Sequence, residues 1–316
     1  MNPLPMLDAA IAWLQGLLFE HAVEPVLFGL GLMRYAEELF DFTEWVVIGA
    51  LEVALLAAVL PLLERRWGVE PLRDRRAVRT DIVYTLLHRL GGFALLVFAL
   101  MTPAFDALEG WLRLHGVPRM NLDQVIPGVT DVAIVSFLIY LVVLDFVDYW
   151  MHRAQHRFGW WWQLHAVHHS QRQMTFWSDN RNHLLDDLLR DGVLAVVALV
   201  VGVAPGQFIA LVVATRVLQS VQHANLRWRF GAGERLLVSP SYHRLHHAIG
   251  YGHEGPARGV NFGVLFPWWD LMFGTADLRP GFVPTGIRDQ LDGRDYGAGF
   301  WSQQWLALRR VTGLGR

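Results

Sequence analysis

Long apolar stretches alternate along the chain with short, arginine-bearing polar ones, and the length of the apolar stretches sets the class. A bilayer core of ~30 Å takes about 20 mostly apolar residues in a helix. Five windows approach that length: residues 43–63, with Glu52 as a single interior charge, then 81–101, 129–150, and the pair 188–204 and 207–221. Pro205 and Gly206 divide the pair, and each member is short, so a tilted or shallow hairpin fits as well as two full spans. Before Arg34 the apolar pattern is broken by Glu20, His21, Glu24 and Pro25, which reads as an interfacial or partly inserted helix pair. No basic stretch precedes it, so a cleaved signal peptide is not expected. Residues 300–310 (FWSQQWLALRR) have the pattern of a surface amphipathic helix.

Arginine placement orients these windows. Arg65, Arg66, Arg73, Arg75, Arg76 and Arg79 crowd the connection between the first two windows, whereas the connection over 102–130 carries Arg113 and Arg119. The first connection is therefore expected in the cytoplasm. The third window returns there at Trp150-Met151-His152, and the chain is cytoplasmic again from Arg227. The run Trp160-Trp161-Trp162 reads as an interfacial aromatic belt. The expected fold is all-α: a multi-pass membrane helical bundle with a cytoplasmic helical cap.

Composition narrows the chemistry. Apolar residues make up 53% of the 316, and charged residues 18%, below the ~25% of soluble domains. The 27 basic and 29 acidic residues give a net charge of −2, which offers no basis for binding nucleic acid. Cysteine is absent, so disulfides, thiolate metal sites and Cys nucleophiles are excluded. Lysine is absent too, which excludes Schiff-base and P-loop chemistry. Histidine remains as the one candidate carrier of metal chemistry.

Eleven of the 14 histidines lie between His152 and His253. They form patterns: His152-x3-His156, His165-x2-His168-His169, and His243-x2-His246-His247, with His183 and His223 between. Composition alone predicts roughly 0.03 HxxHH triplets, so the two found are not coincidence. Residues three and four apart share one helix face, so each triplet is expected to aim three imidazoles at a single point. Neutral nitrogen donors suit first-row transition metals. The ten candidates exceed the four ligands of one zinc and suffice for a di-metal site under the membrane surface. Asp145 and Asp148 lie seven and four residues before His152, and Asp148 is the candidate catalytic carboxylate, orienting a metal-bound histidine or ligating directly. His21, His88 and His115 read as surface or interfacial residues, His253 as a loop residue, and Glu52 as an intramembrane carboxylate of unnamed partner. Asn261, Gly263, Asp270 and Gly274 read as fixing the fold after the last box.

The series HRAQH (152–156), LHAVHH (164–169), NRNH (180–183), QHANL (222–226), YHRLHH (242–247), NFG (261–263) and WWDLMFGT (268–275) resembles the fatty acid hydroxylase/sterol desaturase superfamily over roughly residues 145–275. The context is closest to its alkylglycerol monooxygenase-like and bacterial sterol-desaturase-like members. The resemblance implies a non-haem di-iron centre on His152, His156, His165, His168, His169, His183, His223, His243, His246 and His247, with zinc a ready substitute in purified protein. It implies O2 as co-substrate, electrons from a separate donor protein or diffusible reductant, and hydroxylation or desaturation of a membrane lipid. Leu184 stands where many members have proline after the His183 position, and Gln219 stands where 2-hydroxylases carry a second histidine. The expected organisation is N-terminal helices and two spans over 1–128, the histidine-box catalytic domain over 129–280, and a cytoplasmic tail over 281–316. The expected location is a bacterial cytoplasmic membrane; no oligomeric state is assigned. Two rival classes are a zinc-dependent membrane hydrolase and a metal-transporting or metal-sensing protein. The first lacks an HExxH motif here, and the second predicts ligands at span centres, where these histidines are not.

Overall fold

The computed structural model describes residues 4–117, 120–250, 252–253, 255 and 257–314, so Arg119 lies outside the described residues. Among these residues the fold is helical throughout, and the one extended pairing is an isolated bridge between Ala248 and Thr285. Helix α1 (Leu4–Leu18) runs through a π-turn (Phe19–Val23) into α2 (Glu24–Leu30). This pair lies on α3 (Ala36–Trp67), where Gln15 Nε2 donates to the Phe40 carbonyl at 3.0 Å and Phe19 packs edge-on against Phe40.

The window at 81–101 is not one continuous helix. It is divided into α4 (Arg75–Arg89) and α5 (Gly92–Leu114). Gly91 makes the break at φ +83°, where a Cβ would also sit 2.5 Å from the Phe42 ring. The reason α4 does not span is its buried face, which is polar: Thr80, Asp81, Thr85, His88 and Arg89 all point inward. At the crossing with α3, a Cβ on Gly49 would stand 1.6 Å from the Arg89 carbonyl oxygen, so the two backbones touch only because residue 49 is glycine. That approach lets Arg89 donate to Glu52 at 2.7 Å, and to Asp179 and Ser220 at 2.8 Å. Glu52 thereby gains the partner its sequence context did not reveal. His88 is buried rather than at the surface, with Nε2 2.8 Å from Asp187.

The remaining helices are α6 (Ala133–Arg157), α7 (Gly159–His169), α8 (Leu184–Val201), α9 (Pro205–His223), α10 (Pro240–His246), α11 (Trp268–Phe273) and α12 (Phe300–Val311). Two helical stretches are long and apolar enough to cross a membrane, Met33–Trp67 and Ala133–Arg157. Helix α8 does not qualify, because Asp186, Asp187, Arg190 and Asp191 occupy its first half. Helix α12 has one buried and one exposed face: it buries Gln303, Gln304 and Arg310 and exposes Trp301 and Trp305. Gln304 anchors the buried face, since it donates to Tyr84 and to the Asn182 carbonyl and accepts from the Leu184 amide.

Candidate metal centre

Four chain segments deliver the histidines. The last two turns of α6 carry His152 and His156, α7 carries His165, His168 and His169, α9 ends on His223, and α10 carries His243 and His246 with His247 as its final cap. All nine rings are buried. They form two sets whose donor atoms lie within 4.8 Å of one another: His152, His156, His165, His169 and His246 in one, and His168, His223, His243 and His247 in the other. Each HxxHH triplet therefore does not aim at a single point. Its i and i+4 members share a set and its i+3 member turns to the other, because 3.6 residues per turn leaves i+3 and i+4 on either side of the i position. His169 and His247 stack at 4.4 Å where the two sets adjoin.

Hydrogen bonds fix the ring orientations. Nδ1 donates to a carbonyl in His152 (Phe262, 2.8 Å), His156 (Arg258, 3.2 Å), His246 (Val260, 2.7 Å) and His223 (Gln219, 2.9 Å). A carbonyl only accepts, so these four rings carry their proton on Nδ1 and leave Nε2 as a bare lone pair. The Nε2 atoms converge. Nε2 of His156 is 3.1 Å from that of His169, which is 3.2 Å from that of His165. In the second set the Nε2 separations are 3.2 Å (His168 to His223), 2.9 Å (His223 to His243) and 3.1 Å (His243 to His247). His246 Nε2 is buried with no hydrogen-bond partner. Burial and the neighbouring imidazoles hold His168, His169, His243, His246 and His247 well below the ordinary histidine pKa, so protons do not occupy these positions at neutral pH.

Two sequence expectations need correction. His183 stands apart from both sets: its Nδ1 accepts from the Leu185 amide at 3.1 Å as the N-cap of α8, and its Nε2 donates to the Gln304 carbonyl at 3.2 Å. With both nitrogens engaged it has no lone pair for a metal. Asp148 does not touch a histidine either, because it forms a two-pronged ion pair with Arg190 (Nε to Oδ1, 2.6 Å). The carboxylate that orients a clustered histidine is Asp186, which sequence reading missed. Its Oδ2 accepts from His165 Nδ1 at 2.9 Å, while Oδ1 accepts from Gln155 at 2.7 Å and Trp161 at 2.6 Å. The pattern NHLLDD placed Asp186 near the boxes but held no periodic signal, since its partners lie 21 to 31 residues away.

The tryptophan run is also more than a belt. Trp160 is exposed, Trp161 holds Asp186, and Trp162 packs 5.0 Å from His156 and 5.3 Å from His169. His253, expected in a loop, sits 4.4 Å from the His169 ring, donates Nε2–H to the Gly286 carbonyl, and is held down to about 4 by burial. The residues after the last box fix the fold there. Asp145 accepts from the Leu265 and Phe266 amides and from Trp269. Asp270 accepts from the Phe262 and Gly263 amides, Tyr242 and Thr275, and Asn261 takes a left-handed turn at φ +59°.

The architecture is that of a helical histidine-box protein, with two adjoining all-imidazole donor sets enclosed by the ends of its helices. Residues 137–275, which contain all nine clustered histidines, match the family model described as fatty acid hydroxylase. An alkylglycerol monooxygenase of Caenorhabditis elegans is 29% identical over 146 residues, covering 46% of this chain and 27% of that protein. An ornithine lipid hydroxylase of Rhizobium tropici is 27% identical over 242 residues, covering 73% of this chain and 68% of that one. A Delta(7)-sterol 5(6)-desaturase of Gibberella zeae is 26% identical over 230 residues, covering 72% and 65%. The chain spans about a quarter of the first relative's length and about two thirds of the other two. No solved structure matches it. The histidine-box segment belongs to the fatty acid hydroxylase/sterol desaturase superfamily.

Proposed function

We propose that the protein is a membrane-bound non-haem di-iron oxygenase that hydroxylates or desaturates a C–H bond of a lipid using O2. The observation that carries the reading is the convergence of nine buried imidazoles into sets of five and four. His152, His156, His223 and His246 turn bare Nε2 lone pairs into the sets, and His246 Nε2 has no hydrogen-bond partner there, which fits bound metal. The Nε2 atoms linked within each set stand 2.9–3.2 Å apart, close enough for one first-row transition-metal ion to be shared among them. Among the described residues neither set includes a carboxylate, so the hydrolase alternative has no general base within them.

Iron in the two sets would supply the redox chemistry that activates O2 toward an unreactive C–H bond. The chain itself does the rest. Asp186 and the four carbonyls hold the imidazole planes. Trp162 and Phe262 cover the five-histidine set and keep bulk water from it. The two sets would hold one ion each, through five imidazoles in one and four in the other. The outward face of α3 presents Leu51, Leu55, Val59 and Leu62, an exposed apolar stripe suited to lipid contact. The relatives' names, with an alkylglycerol, an ornithine lipid and a sterol among their substrates, support a lipid substrate. The arginine-rich 65–79 connection supports placing the histidine end on the cytoplasmic side, with electrons delivered there by a separate donor.

The test is anaerobic iron loading followed by comparison of lipids from cells with and without the gene. The expected result is one lipid class that gains one oxygen atom or loses two hydrogens. Iron-loaded, reductant-supplied protein that oxidises no lipid, while the zinc form hydrolyses one, refutes the reading.

A further inference from the structure

Outside the histidine sets, a cleft of about 730 Å³ opens where α3 ends. That volume lies within the ~300–1,000 Å³ of small-molecule sites. Its floor is a polar joint: Glu64 accepts from the Phe176 and Asn225 amides at 2.9 and 3.0 Å, and Asn225 ties back to the Val69 and Glu70 backbone. Its walls are aromatic, with Trp67, Phe176 and Trp177, and its rim carries Arg65, Arg66 and Arg227.

The charges in the cleft do not cancel. Glu64 is engaged by backbone amides, and Glu70 is paired with Arg244 at 2.6 Å. Among the described residues, Arg65, Arg66 and Arg227 form no ion pair; Arg66 only stacks on Trp67 at 5.6 Å, and Arg227 only reaches the Val69 carbonyl at 3.5 Å. Three guanidiniums without an ion pair on the rim of an aromatic-walled cleft suit an anionic oxygen group, which guanidinium binds through parallel N–H donors. The cleft also lies beside the donor sets. Asn225 follows His223 by two residues, so their Cα atoms are at most ~7.6 Å apart.

We infer that this cleft holds the anionic head group, phosphate or carboxylate, of the lipid substrate. The inference rests on the oxygenase reading and adds a substrate class: an amphiphile with an anionic polar end. It also assigns a position of attack. A head group held here places the first carbons of the chain beside the four-histidine set, so the oxidised carbon lies near the polar end rather than at the chain terminus.

The test uses the full chain, metal-free, in nanodiscs of equimolar phosphatidylcholine and phosphatidylglycerol, with retained lipids counted by native mass spectrometry. The wild type retains phosphatidylglycerol with about tenfold preference. The Arg65→Gln/Arg66→Gln/Arg227→Gln variant loses that preference, and Arg309→Gln, an exposed arginine on α12, keeps it. Unchanged preference in the triple variant overturns the inference. So does displacement of the lipid by millimolar inorganic phosphate, which marks a soluble-anion site, and so does an acidic protein partner whose binding, rather than the lipid's, the triple variant abolishes. Once an oxidised lipid class is known, the triple variant raises KM about tenfold for its anionic members with kcat unchanged; equal KM overturns the substrate assignment. Because retention needs neither metal nor turnover, retained phosphatidylglycerol in a protein that oxidises nothing counts against the oxygenase reading and leaves the anionic-lipid site standing.

Discussion

Replacing Asp186 tests whether the donor sets are held by their surroundings or simply by helix spacing. Asp186 is 1% exposed and accepts three hydrogen bonds, from His165, Gln155 and Trp161. Asp186→Ala leaves three buried donors without an acceptor, at about 1–3 kcal/mol each, so an effect of roughly 3–9 kcal/mol includes loss of the fold. Asp186→Asn is the sharper probe. It keeps the shape and one accepting oxygen, but its amide nitrogen cannot accept from His165 Nδ1. Removing such an outer partner of a metal-bound histidine typically weakens metal binding by about 10–100-fold, or about 1.4–2.7 kcal/mol. The assay is cobalt(II) titration under anaerobic conditions, read by absorption and by chelator competition. The expected result is one metal per chain bound with the weakened constant and the second unchanged, because Asp186 touches only the five-histidine set. Unchanged binding of both metals, or equal weakening of both, refutes the reasoning.

Three further outcomes follow. His183→Ala leaves metal content at the wild-type value, because His183 caps α8; it lowers stability by about 1 kcal/mol, read by thermal unfolding. Asp148→Asn removes the two-pronged partner of the half-buried Arg190, which keeps Asp191 at 3.6 Å, and costs about 1–3 kcal/mol, and Asp148→Asn/Arg190→Met recovers most of it; recovery of stability without activity would return Asp148 to the chemistry. The metal-free protein loses stability as pH falls below about 6.5. His168, His169, His243, His246 and His247 stay neutral in the fold while their unfolded counterparts take up protons, at about 1.4 kcal/mol per pH unit for each histidine. Unfolding midpoints at pH 8 and pH 5.5 in chelator check it, and a midpoint that does not fall at pH 5.5 sinks it.

The helical class and the gathering of nine histidines were legible because both rest on local spacing, which the chain writes directly. His183 was not separable from the ligands in sequence, since a capping histidine and a coordinating one carry the same letter; Gln304, 121 residues on, decides between them. The same holds for the carboxylates. Asp148 has the helical phase of a partner for His152, yet Arg190 takes it, and Asp186 reaches His165 by a fold-back that no period announces. The 81–101 window failed as a span for a related reason. Its mean apolarity hid a polar face on α4, which Ser178, Arg181 and Asp187 cover at Asp81 and His88 and which α3 covers at Arg89 through the close approach at Gly49.

The carboxylates also show how an all-imidazole site is balanced. Nine neutral ligands contribute no negative charge, so divalent ions bound to them must be neutralised from outside the donor sets, across a low-dielectric interior where such attraction is strong. Asp148 cannot serve, because Arg190 already neutralises it, and Arg89 likewise engages both Glu52 and Asp179. Asp145, Asp186 and Asp270 differ: among the described residues each accepts only from neutral donors, namely amides, indoles, hydroxyls, a carboxamide and an imidazole. Burying such carboxylates with no cation nearby is costly, and burial indeed pushes Asp270 above the ordinary carboxylate range in the metal-free fold. All three carboxylates hold segments that end in or brace a histidine box. If the donor sets hold metal ions, as proposed, neutralising these carboxylates would add to the free energy of binding, and Asp145, Asp186 and Asp270 would then act with the imidazoles from outside the sets.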